Sequence, residues 1–168
     1  CDHPPIYFCG LSAPLHKNDL LLFLRRQSSD WLSILIDAVD EVKERGFTAV
    51  YLILDDHPPL GPCEANTLNQ TLPATLERLE AGTISLFRPD LIGSLKKELV
   101  NETVSKLERL PESYLWRYSL HPGLWSLSAL ANLLSQLDTL LLTSDSRNPW
   151  SFERVGATHV ASTQSVDI

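Results

Sequence analysis

The chain has 168 residues, of which 43% are hydrophobic and 21% charged, a composition that excludes an intrinsically disordered protein and predicts a globular one. Lys and Arg number 14 and Asp and Glu number 21, so the net charge of −7 argues against a protein whose main task is to bind nucleic acid. The longest apolar stretches, residues 20–24 and 137–142, are too short to cross a bilayer. We expect a single domain over residues 1–168, and the lack of methionine predicts that the domain is part of a longer chain.

The first half of the sequence predicts strands and a helix in alternation. Residues 5–9 predict a short strand, whereas the length of the apolar run at 20–24 fits a strand or a helix. A helix should begin at Ser29 or Asp30 and stop at Gly46, because apolar residues recur between them at helical spacing. Residues 49–54 form an uninterrupted apolar run, which is typical of a strand covered on both faces at the centre of an α/β sheet.

The second half predicts the same kinds of element, with one hairpin among them. Pro73 should kink or split the first of its helices, and Ser126 is a good N-cap for the second. No clear period is visible after Glu153. In chain order we expect a helix over residues 64–80, a strand over 83–87, a hairpin that joins 106–110 to 114–120, and a helix that begins after residue 126.

The pair Asp55 and Asp56, directly after the apolar strand, is the sharpest candidate for a functional site. Two adjacent carboxylates repel each other and are costly to desolvate unless a cation joins them. A hard divalent ion such as Mg²⁺ or Mn²⁺ takes oxygen ligands and is often shared with phosphate oxygens, which predicts a metal–diphosphate site at the carboxyl end of this strand. A solvated acidic loop, with one Asp capping the following turn, explains the pair equally well.

A turn before the second helix supplies another candidate. Pro122-Gly123 predicts the turn itself, next to His121, and Trp125 follows it. Such a turn can present the Trp125 ring as a flat apolar surface, which suits the face of a sugar ring. The alternative is that Trp125 lies in the core, where tryptophan is usually largely buried.

Residues 149–153 predict a second loop, in which two aromatic rings accompany one carboxylate. Trp150 and Phe152 lie on either side of Ser151, and Glu153 follows directly. A carboxylate in such a setting can act as a general base. The alternative is a hydrophobic plug in which Glu153 caps a turn or pairs with Arg147 or Arg154.

Five short motifs, taken in order, resemble a bacterial family of sugar transferases of the GT-A type, found among genes for cell-surface polysaccharides. In that family a Cys-Asp ends the first strand, a Trp opens a helix, an acidic pair ends an apolar strand, and two aromatic motifs follow. Here the motifs are Cys1-Asp2, Asp30-Trp31, the strand that ends at Asp55-Asp56, residues 118–125 and residues 149–153. The resemblance implies a GT-A-like α/β fold, with a mostly parallel central sheet flanked by helices.

The resemblance also implies a reaction. The donor would be a nucleotide-diphosphate sugar, the cofactor Mn²⁺ or Mg²⁺, and the acceptor a saccharide or a lipid-linked molecule. The transfer would take place in the cytoplasm, at the inner face of the plasma membrane. The implied site residues are Asp2 and Asp55 for the nucleotide, Asp55 and Asp56 for the metal, Glu153 as the catalytic base, and His121, Trp125 and Trp150 for the acceptor.

Two other functions fit the same residues. A catalytically inactive module would bind a sugar or a partner protein with the same cleft, and a metal-dependent phosphohydrolase would use the Asp pair. The three hypotheses differ in their ligands. A glycosyltransferase should bind a nucleoside diphosphate far better with Mn²⁺ than without, a binding module should be indifferent to metal, and a phosphohydrolase should turn over simple phosphate esters.

Overall fold

A computed structural model describes residues 30–54, 65–86 and 118–159, and the backbone of strands at 6–10, 21–25, 108–109 and 165–167. The strands are β1 (Ile6–Gly10), β2 (Leu21–Arg25), β3 (Ala49–Leu52), β4 (Thr83–Ser85), β5 (Glu108–Arg109), β6 (Gly123–Ser126) and β7 (Ser165–Asp167). The α-helices are α1 (Trp31–Glu44), α2 (Leu72–Arg78), α3 (Leu127–Leu140) and α4 (Pro149–His159). None of the helices described there combines the length and the hydropathy that crossing a membrane requires.

The main sheet is mixed rather than mostly parallel. β1 and β2 form a separate parallel pair, and the other five strands lie in the order β3-β6-β4-β7-β5. β6 runs antiparallel to both of its neighbours and β5 runs antiparallel to β7, which leaves β4–β7 as the parallel contact of this sheet. The prediction of a GT-A-like fold with a mostly parallel central sheet is therefore wrong. The apolar run at 49–54 indicated burial on both faces, but burial alone does not set the direction of the neighbouring strands.

β3 is an edge strand of the five-stranded sheet, so the prediction that it lies at the centre of a sheet is wrong, but helices cover both of its faces, as its apolar run predicts. Val50 and Leu52 pack into a core formed with α1, α3 and α4, whereas Ala49 and Tyr51 pack with α2 on the opposite face. The Tyr51 hydroxyl also donates to the carbonyl oxygen of Leu68, at 2.7 Å. Because successive side chains of a strand point to opposite faces, an uninterrupted apolar run can serve both layers at once.

The two predicted N-caps are confirmed. The carboxylate of Asp30 accepts a hydrogen bond from the Ser33 N–H at 2.9 Å at the start of α1. Ser126 accepts from the Ala129 N–H at 3.5 Å at the start of α3. α1 ends just before Gly46, whose φ of +85° lies in the left-handed region that favours glycine.

Pro73 splits the helix predicted over 64–80. A π-helical turn at Thr67–Thr71 comes directly before α2, and Pro73 lies in the first turn of α2. Proline has no N–H to donate to the preceding turn, so the hydrogen-bond register changes there. The residues predicted as one helix thus form two joined helical pieces.

Most of the predicted hairpin between 106–110 and 114–120 lies outside the described residues, and the described part shows a different pairing. Glu108 and Arg109 form β5, which pairs with β7 near the end of the sequence, and Tyr118 to Leu120 lie outside any strand. Residues 114–117 lie outside the described residues. Turn residues between two apolar runs favour a hairpin locally, whereas the described pairing of β5 is with the distant strand β7.

The second aromatic loop is also wrong, because residues 149–159 form helix α4. The Asn148 side chain caps this helix: its Oδ1 accepts from the Ser151 N–H at 2.9 Å. Pro149 then occupies the first helical position, where a missing N–H costs nothing. Asn148-Pro149 is therefore a helix-start signal.

Candidate functional site

The residues predicted to bind nucleotide and metal, Asp2, Asp55 and Asp56, lie outside the described residues. In sequence, Asp55 directly follows Leu54, which is the last described residue after β3. Across residues 30–54, 65–86 and 118–159, no group of three or more His, Cys, Asp or Glu side chains is placed to hold a metal ion. The divalent ion therefore stays a prediction from the sequence.

β3 and β4 end where β6 begins, and we call this the Gly123 end of the sheet. Gly123 is opposite Leu52 of β3 on one side and Ser85 of β4 on the other. The strands approach closely there, because a Cβ on Gly123 would lie 3.3 Å from the carbonyl oxygen of Ile84. Residues 118–122, which lead into β6, therefore enter the sheet at the end where β3 finishes.

Glu153 of α4 binds this entering segment. Its Oε1 accepts from the Leu120 N–H at 2.6 Å and from the Ser119 hydroxyl at 3.2 Å. The Ser119 oxygen in turn accepts from the His121 N–H at 3.3 Å. Oε2 of the partly buried Glu153 makes no hydrogen bond or ion pair within the described part of the chain. We call Ser119, Leu120, His121 and Glu153 the Glu153 site.

Trp125 lies in the core and not on a surface. It is 2% exposed, stacks on Tyr118 with ring centroids 6.4 Å apart, and meets the edge of Phe152 at 6.2 Å. The chain bends at His121 and Pro122, β6 begins at Gly123, and the alternation of that strand points Trp125 into the layer of α1, α3 and α4. With its ring faces covered, Trp125 offers no flat surface to a sugar, and the core position that its sequence left open is the one observed.

Trp150, by contrast, is 78% exposed in the first turn of α4. It precedes Glu153 by three residues, so the two side chains project from the same side of the helix. Phe152 between them is fully buried and packs edge-on against Trp31 at 5.7 Å. Phe152 therefore packs α4 against the core, and the exposed Trp150 indole lies on the same side of the helix as the hydrogen-bonded Glu153 carboxylate.

Arg147 does not pair with Glu153 but joins two other helices. Its Nε donates to Oδ1 of Asp30 at 2.8 Å, and its Nη2 contacts Oδ1 of Asp138 at 2.7 Å. Nη2 also donates to the Ser33 hydroxyl at 2.8 Å, and Nη1 donates to the Leu141 carbonyl at 3.1 Å. We call Asp30, Ser33, Asp138 and Arg147 the Arg147 cluster. It ties the start of α1 to the end of α3.

The Arg147 cluster changes the acidity of Asp30. Burial acts to raise the pKa of this carboxyl, but hydrogen bonds from the Ser33 N–H, the Arg147 guanidinium and the Ser33 hydroxyl, with the Arg147 charge, lower it to about 2. Hydrogen bonds to the carboxylates of Asp30 and Asp138, together with their negative charges, raise the pKa of Arg147 above its ordinary value. The sequence predicted that Asp30 caps α1 but not that it pairs with Arg147, because the two residues are 117 positions apart.

Sequence reasoning also missed Ser119, which is a part of the Glu153 site. Ser119 lies in the motif over residues 118–125, but only His121 and Trp125 of that motif were predicted to bind the acceptor. The one available signal is a small hydroxyl side chain next to a loop, which is too common to single out a residue. Its partner Glu153 is 34 positions away, so only the folded chain brings the two together.

A groove of about 240 Å³ lies between α1 and α3. Its lining combines an apolar floor with two carboxylates, and the residues are Ile36, Val39, Asp40, Ala131, Leu134, Ser135 and Asp138. None of the predicted site residues lines it. The groove is therefore separate from the Glu153 site.

Comparison of the chain with protein-family models, with curated proteins and with solved structures finds no match.

Proposed function

We propose that this chain is a glycosyltransferase that moves a sugar from a nucleotide-diphosphate donor to a saccharide or lipid-linked acceptor. The observation that carries the proposal is the pairing of Trp150 and Glu153 on one side of α4, at the Gly123 end of the sheet. An exposed indole beside a fixed carboxylate suits a saccharide, because the ring covers the apolar face of a sugar while the carboxylate accepts from a hydroxyl. The order of the five sequence motifs supports the same function.

In this proposal Glu153 is the catalytic base of the transfer. Oε2 takes the proton of the attacking acceptor hydroxyl, and the hydroxyl oxygen forms a bond to the anomeric carbon of the donor sugar. The bond between that carbon and the diphosphate oxygen breaks, and the nucleoside diphosphate leaves with the electron pair. Attack from the face opposite the leaving group inverts the anomeric configuration.

The donor half of the proposal rests on the sequence. Asp2 and Asp55 would contact the nucleotide, and Asp55 and Asp56 would hold Mn²⁺ or Mg²⁺. A divalent ion there would neutralise charge on the leaving diphosphate. The acidic pair follows β3 in the chain, and β3 ends at the Gly123 end of the sheet. The proposal carries the expectation of a cytoplasmic enzyme that works at the inner face of the plasma membrane.

On the acceptor side, Trp150 and His121 flank Glu153 in the proposal. Trp150 is one helical turn away along α4, and the His121 N–H binds the Ser119 oxygen that contacts Glu153. Trp125 is not assigned to the acceptor because its ring is buried.

The experiment is a thermal-shift screen of nucleoside diphosphates and their sugars, with and without Mn²⁺, followed by transfer assays with the ligands that bind. We expect Mn²⁺-dependent stabilisation by one nucleoside diphosphate. Glu153→Gln should keep that shift and stop transfer, and Trp150→Ala should raise KM for the acceptor. The matched controls are Glu77→Gln, an exposed carboxylate on α2, and Leu142→Ala, an apolar side chain that is 82% exposed.

Each alternative function has its own result in this screen. Saccharide binding that is indifferent to metal, without transfer, would indicate a binding module in place of an enzyme. Turnover of simple phosphate esters would indicate a phosphohydrolase. Transfer that survives Glu153→Gln would remove Glu153 from the mechanism.

A further inference from the structure

The Glu153 carboxylate is held by two donors on one oxygen. The Leu120 N–H and the Ser119 hydroxyl both reach Oε1, at 2.6 and 3.2 Å. The terminal torsion of a glutamate side chain is broad, so a single hydrogen bond leaves the carboxylate plane free to rock. A second donor from another direction restricts that rotation and fixes where Oε2 points.

The direction of the Ser119 hydroxyl is itself fixed. A serine oxygen can accept while its single hydrogen donates. Here the oxygen accepts from the His121 N–H at 3.3 Å, and the hydrogen is directed to Oε1 of Glu153. Three consecutive residues of one segment therefore act on the carboxylate, two of them directly and His121 through Ser119.

We propose that Ser119 is a positioning residue, whose hydroxyl turns the Glu153 carboxylate so that Oε2 faces the acceptor hydroxyl. This inference rests on the proposed function, in which Glu153 is the base. Ser119 does not touch the reacting atoms and acts only through Glu153. Removing its hydroxyl leaves the bond from Leu120 in place, so Glu153 should stay at the site but lose its orientation.

The first test needs no activity assay. Ser119→Ala, Glu153→Ala and the double variant form a cycle whose unfolding equilibria are measured in urea. Each single variant should raise the equilibrium constant of unfolding. If the two side chains are bonded, the equilibrium constant of the double variant should be about fivefold smaller than the product of the two single effects predicts. Single effects that simply multiply would overturn the inference.

The second test separates positioning from a purely structural role. In transfer assays Ser119→Ala should lower kcat by roughly 10- to 100-fold with KM for the acceptor nearly unchanged, because misaligned reacting groups lose rate rather than binding. Ser119→Thr, which keeps the hydroxyl, should restore most of kcat. The matched control Ser135→Ala, an exposed serine on α3, should leave kcat unchanged.

The failures can be told apart. An active wild-type protein whose kcat survives Ser119→Ala, or is not rescued by Ser119→Thr, overturns the role of Ser119 alone. A wild-type protein that binds no nucleoside diphosphate and transfers no sugar overturns the proposed function and the role of Ser119 with it.

Discussion

The Arg147 cluster and the Glu153 site are both built around a carboxylate, and they use it in opposite ways. Asp30 has both oxygens bonded, and the Arg147 guanidinium supplies a full positive charge. Glu153 has one oxygen bonded, to a backbone amide and a serine hydroxyl. A carboxylate whose two oxygens are bonded and which pairs with a cation stabilises the fold. A carboxylate that accepts neutral donors on one oxygen only has its second oxygen available for a ligand.

The largest effect should come from Arg147→Ala, which removes the guanidinium that contacts the carboxylates of both Asp30 and Asp138. We expect the free energy of unfolding to fall by about 3 kcal/mol, because breaking one side of a partly buried ion pair is strongly destabilising. Urea denaturation measures it. Arg154→Ala, which removes an exposed arginine of α4, should change the free energy by less than about 0.5 kcal/mol. Equal losses in the two variants would show that the Arg147 cluster is not structural.

The next effect is the response of the Arg147 cluster to acid. The pKa of Asp30 is lowered from 3.8 to about 2 in the folded chain, so its contribution to stability is complete above about pH 4 and is lost as the pH falls towards 2. The shift corresponds to about 2 kcal/mol. Asp30→Asn keeps the cap but cannot ionise. The stability difference between wild type and this variant, measured from pH 6 to pH 2, should shrink through that window, and a constant difference would contradict the prediction.

Gly156→Ala should perturb the Glu153 site more than the Arg147 cluster. The added Cβ would lie 3.2 Å from Cδ2 of Tyr118, a buried ring that stacks on Trp125 and has little room to move. We expect a net loss of about 1 kcal/mol, since overpacking outweighs the better helix propensity of alanine.

Thr158→Ala, at an exposed position of the same helix, is the control for Gly156→Ala and should stay within about 0.5 kcal/mol of wild type in urea denaturation. A Gly156→Ala variant that is more stable than wild type would show that the Tyr118 ring can move away from the added Cβ, and that α4 packs less tightly than its contacts indicate.

The smallest effect should be that of Glu153→Gln on stability. The amide keeps an oxygen for the Leu120 N–H and the Ser119 hydroxyl, so we expect a loss of only about 0.5 kcal/mol. Thermal and urea unfolding beside Glu77→Gln measure it. A loss as large as that of Arg147→Ala would erase the contrast between the two regions and make Glu153 a structural residue.

The elements defined by local chemistry could be predicted from the sequence. Asp30 and Ser126 cap helices because a short polar side chain can bond the N–H groups of the first turn within three residues. Gly46 ends α1 because its backbone adopts a positive φ. The covering of β3 on both faces followed from its uninterrupted apolar run. All of these depend on neighbours within a few positions.

Tertiary structure alone decided the strand directions and the composition of the Glu153 site. β6 lies between β3 and β4 and runs against both, which turned the predicted parallel sheet into a mixed one and carried Trp125 into the core. Glu153 meets Ser119 across 34 positions, and Arg147 meets Asp30 across 117. Local pattern fixes which residues are apolar, capping or charged. The pairing of distant segments depends on the packing of the whole chain, which no short window of sequence contains.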